Sequence, residues 1–167
     1  MTCTEDCEAR LDELAEQCAW YAADLYFFVT RRVVEDLGEA GEKAVRQGLR
    51  EWGLARAQAI RQRVEDAGAP VDLASYRKHY DLPMARAWKG ENTDTPTCHA
   101  SSITHCPFAD RWRERGGERL GQMFCEEVDP ALRHGFDPRL HFTASQYVLL
   151  GDPLCEQREE WEQQGAE

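Results

Sequence analysis

Long hydrophobic runs are missing from this 167-residue sequence. Its most apolar stretch, Trp20 to Val34, is interrupted by Asp24 and the Arg31-Arg32 pair. That is too short and too charged to span a bilayer. The opening Met-Thr-Cys-Thr-Glu-Asp-Cys has neither a basic nor an apolar region of the kind that directs secretion. Basic charge is also scarce: 20 Lys and Arg face 31 Asp and Glu, for a net charge of −11. Such a field repels polyanions, so nucleic acid is not an expected partner, and five histidines do not reverse the balance at neutral pH. There is no internal repeat, no low-complexity segment, no CxxC pair and no zinc-knuckle spacing. The expectation is a cytoplasmic protein without a membrane partner, in a compartment that disfavours a disulfide framework. Seven cysteines are nevertheless present. Packing, catalysis or a site assembled from distant residues remain as their roles.

The length fits one domain with a real core, and 42% hydrophobic residues are enough to build it. We read residues 1–167 as a single α+β domain: a helical part over about 5–80, a loop over about 84–97, and a cysteine-bearing α+β part over about 98–160. Leu11, Leu14, Cys18, Tyr21, Leu25 and Phe28 recur every three and four residues, which predicts a helix from about 5 to 37 with this stripe, Cys18 included, in the core. Gly38 is a fitting stop. A second helix, about 39–66, carries Val45, Leu49, Trp52, Ala59, Ile60 and Val64 on one side; Gly48 and Gly53 lower its intrinsic propensity, so close packing against the first helix is expected to hold it. The two should form an antiparallel hairpin, and their aromatic residues should be core. Asp72 is expected to cap a short helix that Pro83 stops. Further on, Cys98–His105 reads as a strand and Pro107 starts a helix to about Val128, broken at Gly116-Gly117. Leu140–Leu150 and Leu154–Glu160 read as antiparallel strands around the Gly151-Asp152-Pro153 turn. The architecture expected is a helical hairpin packed with a small antiparallel sheet and a further helix.

Three features carry possible chemistry. Cys106 stands at a strand-to-helix junction, where unpaired amides and the positive helix end should lower its pKa. Gly121, Cys125 and Asp129 stack at intervals of four along one helix face, with Gly121 leaving room above the thiol. Cys125 and Asp129 can act there as nucleophile and base or as metal ligands; alternatively Asp129 caps a turn before Pro130 and Cys125 only packs. Cys155 enters the last strand after Asp152. His99, His105, His134 and His141 are nearby in sequence, but His105 and Cys106 should point to opposite faces of a strand.

Thr104-His105-Cys106-Pro107-Phe108, then Gly121 through Asp129, Gly135-Phe136-Asp137-Pro138 and Gly151-Asp152-Pro153-Leu154-Cys155-Glu156 stand in an order and spacing that resembles the L-2-amino-thiazoline-4-carboxylic acid hydrolase family. The resemblance implies a hydrolase-like enzyme acting on carbon–nitrogen or carbon–sulfur bonds of a small amidine or thiazoline-type metabolite. It implies ring opening to an N-carbamoyl product without loss of ammonia. On that chemistry Cys106 is the expected nucleophile and Cys125 its competitor. Asp129 or His99 handles the proton, Asp152 positions a donor and Cys155 joins the site. No cofactor is expected; the alternative is a zinc held by Cys106, Cys125, Cys155 and a histidine. The other classes left open are a non-catalytic small-molecule-binding module and a cysteine-based metal or redox protein. The enzyme reading carries one geometric demand: Cys106, Cys125 and Cys155 must meet in space.

Overall fold

A computed structural model describes residues 5–162. Cys3 and residues 163–167 lie outside the described residues. Helix α1 spans Glu5–Asp66 and is broken at Gly38, whose φ of 57° and ψ of −133° are not helical. The chain folds back there. A Cβ on Gly41 would lie 2.5 Å from the Val33 carbonyl oxygen. Eight residues of unbroken helix would separate those positions by about 12 Å, so the two arms of α1 form the expected hairpin.

The hairpin does not bury the face that periodicity selects. Leu11, Leu14, Cys18, Tyr21, Leu25 and Phe28 are exposed, while Ala15, Ala19, Ala23, Phe27 and Thr30 face inward. The expectation of a core stripe and a packed Cys18 thiol is therefore corrected. Spacing identifies an apolar face but not what meets it, and the alanine face allows the closest approach by a neighbour. Trp112 uses that approach: it is almost fully buried and its Nε1 donates to the Ala23 carbonyl at 3.0 Å. Of the aromatic residues expected in the core, Tyr26 and Phe27 are there, whereas Trp20, Tyr21, Phe28 and Trp52 are exposed. Gly53 in the second arm packs not on the first arm but on Val128, Ala131 and Leu132 of a later helix, leaving under 3.5 Å for a Cβ.

Past the hairpin, α2 (Leu73–Lys78) has Asp72 as its N-cap, accepting from the Ser75 amide at 2.8 Å, as expected. The predicted loop contains a strand, β1 (Lys89–Asp94), which pairs antiparallel with β2 (Cys98–His105). Lys-Gly-Glu-Asn-Thr-Asp is polar throughout and wholly exposed, so it carries no alternation to read. At Gly90 the Ser102 carbonyl oxygen lies 2.3 Å from where a Cβ would be, which only glycine accommodates. Pro107 opens α3 (Pro107–Glu114), and after the turn at Gly116 and Gly117 comes α4 (Glu118–Phe136). That helix runs eight residues past the expected end at Val128 and includes Pro130. Val128, Leu132 and Phe136 are buried on it at helical spacing, and their burial outweighs the single hydrogen bond that proline forgoes. Strand β3 (Leu140–Gln146) ends four residues early, in a 3₁₀ turn at Val148–Leu150, and β4 (Cys155–Trp161) returns beside it. The sheet order is β1-β2-β4-β3, every pair antiparallel.

The layers follow from these contacts. The hairpin packs on α3 and α4, and α4 packs on β3. Two apolar clusters result, one around Trp112, Met123 and Cys155, the other around Ile60, Tyr76 and Phe136. No helix among the described residues is long and apolar enough to cross a membrane.

Candidate functional site

The three cysteines do come together. Cys155 belongs to the first cluster and Cys106 and Cys125 pack against it. Each arrives from a different element: Cys106 caps α3, Cys125 lies on α4, and Cys155 opens β4. Cys125 is close enough to feel charge on both other sulfurs.

Helix and strand spacings nearly coincide here, about 6 Å per four helical residues against about 6.6 Å per two strand residues. Along α4, Cys125, Asp129 and Arg133 rise one turn at a time. Along one face of β4 and β2 run Cys155 with Ile103, Gln157 with Ser101, and Glu159 with His99. Cys125 is near Cys155 at one end, and at the other Arg133 Nε donates to Glu159 Oε1 at 2.9 Å. Asp129 is thereby level with the Ser101–Gln157 pair.

The far end is a buried ion network. Arg133 is 4% exposed and Glu159 2%. Arg133 Nη1 donates to Asp129 Oδ1 at 2.7 Å, and its guanidinium stacks on the Phe142 and Tyr80 rings. Burial works against the Arg133 charge, but the surrounding tyrosines and the two carboxylates outweigh it and keep the group ionised. The Tyr76 hydroxyl is buried without a hydrogen-bond partner next to this network, leaving polar capacity that an ordered water or a bound molecule would satisfy.

The thiols are enclosed, and this corrects the expectation for Cys106. Burial pushes its thiol up to about 12, more than the amides of Ala109 and Phe108 at the start of α3 and the nearby Trp88 pull it down. Burial likewise raises Cys125, and the Asp129 carboxylate raises it further. Cys155 is raised by burial too, although its Sγ accepts from the Val148 amide at 3.3 Å. At neutral pH all three rest as thiols, so a nucleophile here must lose its proton to a base as it reacts. Asp129 is the carboxylate one turn from Cys125.

His99 is buried and held from both sides: Nδ1 meets Asp94 Oδ1 at 2.6 Å and Nε2 meets Ser101 Oγ at 2.9 Å. Four strand residues separate it from the Ile103–Cys155 pair, about 13 Å, so it does not touch the thiols. Asp152 is engaged with the backbone of its own turn. Its Oδ2 accepts the Tyr147 amide at 2.8 Å and holds the turn before Cys155. His105 is taken up by Glu16 and Asp110, and His141 by Glu162. Gly121 does not make room above Cys125: a Cβ there would meet Trp112 Cε3 at 2.3 Å. Among the described residues, no group of three or more His, Cys, Asp or Glu is arranged to hold a metal ion.

Arg133, Glu159 and Ser101 escaped the sequence reading. Arg133 extends the Cys125–Asp129 interval of four by one more step, which was a usable signal. Glu159 and Ser101 give none without the strand register.

A family model described as L-2-amino-thiazoline-4-carboxylic acid hydrolase matches residues 19–158. The chain belongs to that family. The match takes in the hairpin beyond its first turns, all three clustered cysteines, Asp129 and Arg133. No curated protein is similar enough to count as a relative. Among solved structures, trafficking protein particle complex subunit 3 from Naegleria fowleri, covalently bound to palmitic acid, aligns with a TM-score of 0.53 at 12% identity. The alignment covers 87% of this chain and 95% of that one. At that identity the likeness is one of fold.

Proposed function

We propose that this protein is a hydrolase-like enzyme that opens a small amidine or thiazoline-type ring with Cys125 as nucleophile and Asp129 as its base. The observation that supports the reading is the meeting of Cys106, Cys125 and Cys155 beside Asp129, inside the segment that matches the hydrolase family. Cys125 takes precedence over Cys106 because a carboxylate stands one turn away from it. The Cys125 proton passes to Asp129 while the sulfur adds to the ring carbon between sulfur and nitrogen. The ring carbon–sulfur bond then breaks, and the departing sulfur takes the proton back from Asp129. Water adds to the resulting isothiourea on Cys125 and expels the thiol, leaving an N-carbamoyl product. Arg133 orients Asp129 through the Nη1–Oδ1 hydrogen bond of 2.7 Å. Cys106 and Cys155 wall the site, and the same reading has the protein act in the cytoplasm.

Serine replacement tests this directly. Folded Cys125→Ser should lose turnover of a 2-amino-thiazoline-type substrate, whereas Cys106→Ser should retain it; retained turnover in Cys125→Ser removes the proposal.

A second reading has its own support. Enclosed, protonated thiols suit a module that holds a ligand covalently, and a protein of similar fold carries bound palmitic acid. Intact-mass analysis of freshly isolated protein separates the two. An acyl adduct released by hydroxylamine supports the binding module, and an unmodified chain that turns substrate over supports the enzyme.

A further inference from the structure

The six residues that periodicity marks as core and the fold leaves in solvent form a regular seam. Leu11, Leu14, Cys18, Tyr21, Leu25 and Phe28 follow the alternation 3-4-3-4-3, the period of 3.5 that keeps one helix in register with another over several turns. Tyr21 is 77% exposed, Leu25 59% and Phe28 46%. Together the seam offers roughly 600 Å² over a length of about 25 Å, at the top of the patch size that monomers tolerate and approaching the roughly 800 Å² per partner of a stable interface.

We propose that this seam is the dimer interface of the protein, filled by the same seam of a second copy running antiparallel. Self-pairing fits the residue sizes. An antiparallel dyad between residues 19 and 20 sets Leu11 against Phe28, Leu14 against Leu25, and Cys18 against Tyr21. The smallest side chain of the seam then receives the most exposed ring. A parallel pair would instead stack ring on ring and leave a gap at each thiol. Antiparallel arms also oppose their helix dipoles favourably. Arg31 and Arg115 lie over the Phe28 ring and supply a polar rim at each end. Asp24, beside the seam, is already neutralised by Arg111 and Arg115, so it does not repel a second copy. A membrane is the poorer occupant: acidic Glu8, Asp12, Glu13 and Glu16 line the same arm, and an interfacial helix needs basic residues there.

Sedimentation velocity on the full chain tests the proposal. The wild type should sediment as a dimer at tens of micromolar, and Leu25→Glu should give a monomer with unchanged circular dichroism. Tyr21→Cys, oxidised with diamide, should give a covalent dimer in which the introduced thiol is joined to Cys18 of the second copy. A wild type that stays monomeric at about 100 µM overturns the interface. A Cys18-to-Cys18 link in the oxidised wild type overturns the antiparallel register.

Discussion

Replacing Arg133 with methionine probes the ion network that anchors the candidate site. Arg133 is nearly fully buried and bonds Glu159 at 2.9 Å and Asp129 at 2.7 Å. Methionine keeps the unbranched stem and much of the packing on Phe142, so the change isolates the charge. Glu159, 2% exposed, would retain only Arg77 at 3.4 Å, whose side chain is one-third exposed. A buried carboxylate stripped of its main partner costs about 3–5 kcal/mol. For a chain of this size that corresponds to a fall in Tm of about 10 °C. Urea denaturation at neutral pH gives the free energy, and Arg133→Met/Glu159→Gln provides the control. Neutralising the orphaned carboxylate should recover at least half of the loss, because most of it is the isolated charge rather than the missing contact. A single variant within about 1 kcal/mol of wild type would refute the reasoning, as would a double variant no more stable than the single.

Other outcomes follow from the same contacts. Gly121→Ala should destabilise by about 1–3 kcal/mol or more, because its Cβ would lie 2.3 Å from the buried Trp112 ring; thermal unfolding measures it. Iodoacetamide near neutral pH should spare Cys106 and Cys125, whose thiols burial raises, and should modify exposed Cys18 in the Leu25→Glu monomer; peptide mapping reads the pattern. Arg139 holds Asp137 down to about 2 from its ordinary 3.8. That depressed value adds stability above the ordinary pKa and loses it as pH falls through the folded one. Asp137→Asn should therefore remove about 1–2 kcal/mol at neutral pH and flatten the acid limb of the stability profile.

Much of this fold was legible because local chemistry and tertiary demand agree. Gly38 breaks α1, Asp72 caps α2, Pro107 starts α3 and Gly116-Gly117 separates it from α4, each through a backbone preference that needs no partner. The failures share one cause, a tertiary neighbour that the sequence does not name. The α1 stripe is a correct helical period assigned to the wrong surface, since Ala15, Ala19 and Ala23 meet the protein instead. Strand β1 exists through backbone pairing at a sheet edge, for which polar side chains leave no mark. In the site, motif order foretold the meeting of Cys106, Cys125 and Cys155. The opposite sign at Cys106 came from burial, which overcame the helix-start amides and which no local pattern reports. Glu159 became visible as a partner of Arg133 only once β4 was in register.

The central claim is that Cys125 carries the covalent step with Asp129 as its base. Its most direct test is intact-mass and peptide analysis of the protein during turnover of a 2-amino-thiazoline-type substrate, quenched in acid. The account predicts an isothiourea adduct on Cys125, absent from Cys125→Ser and slower to form in Asp129→Asn. Turnover with an adduct on Cys106, or with no cysteine modified, would contradict it.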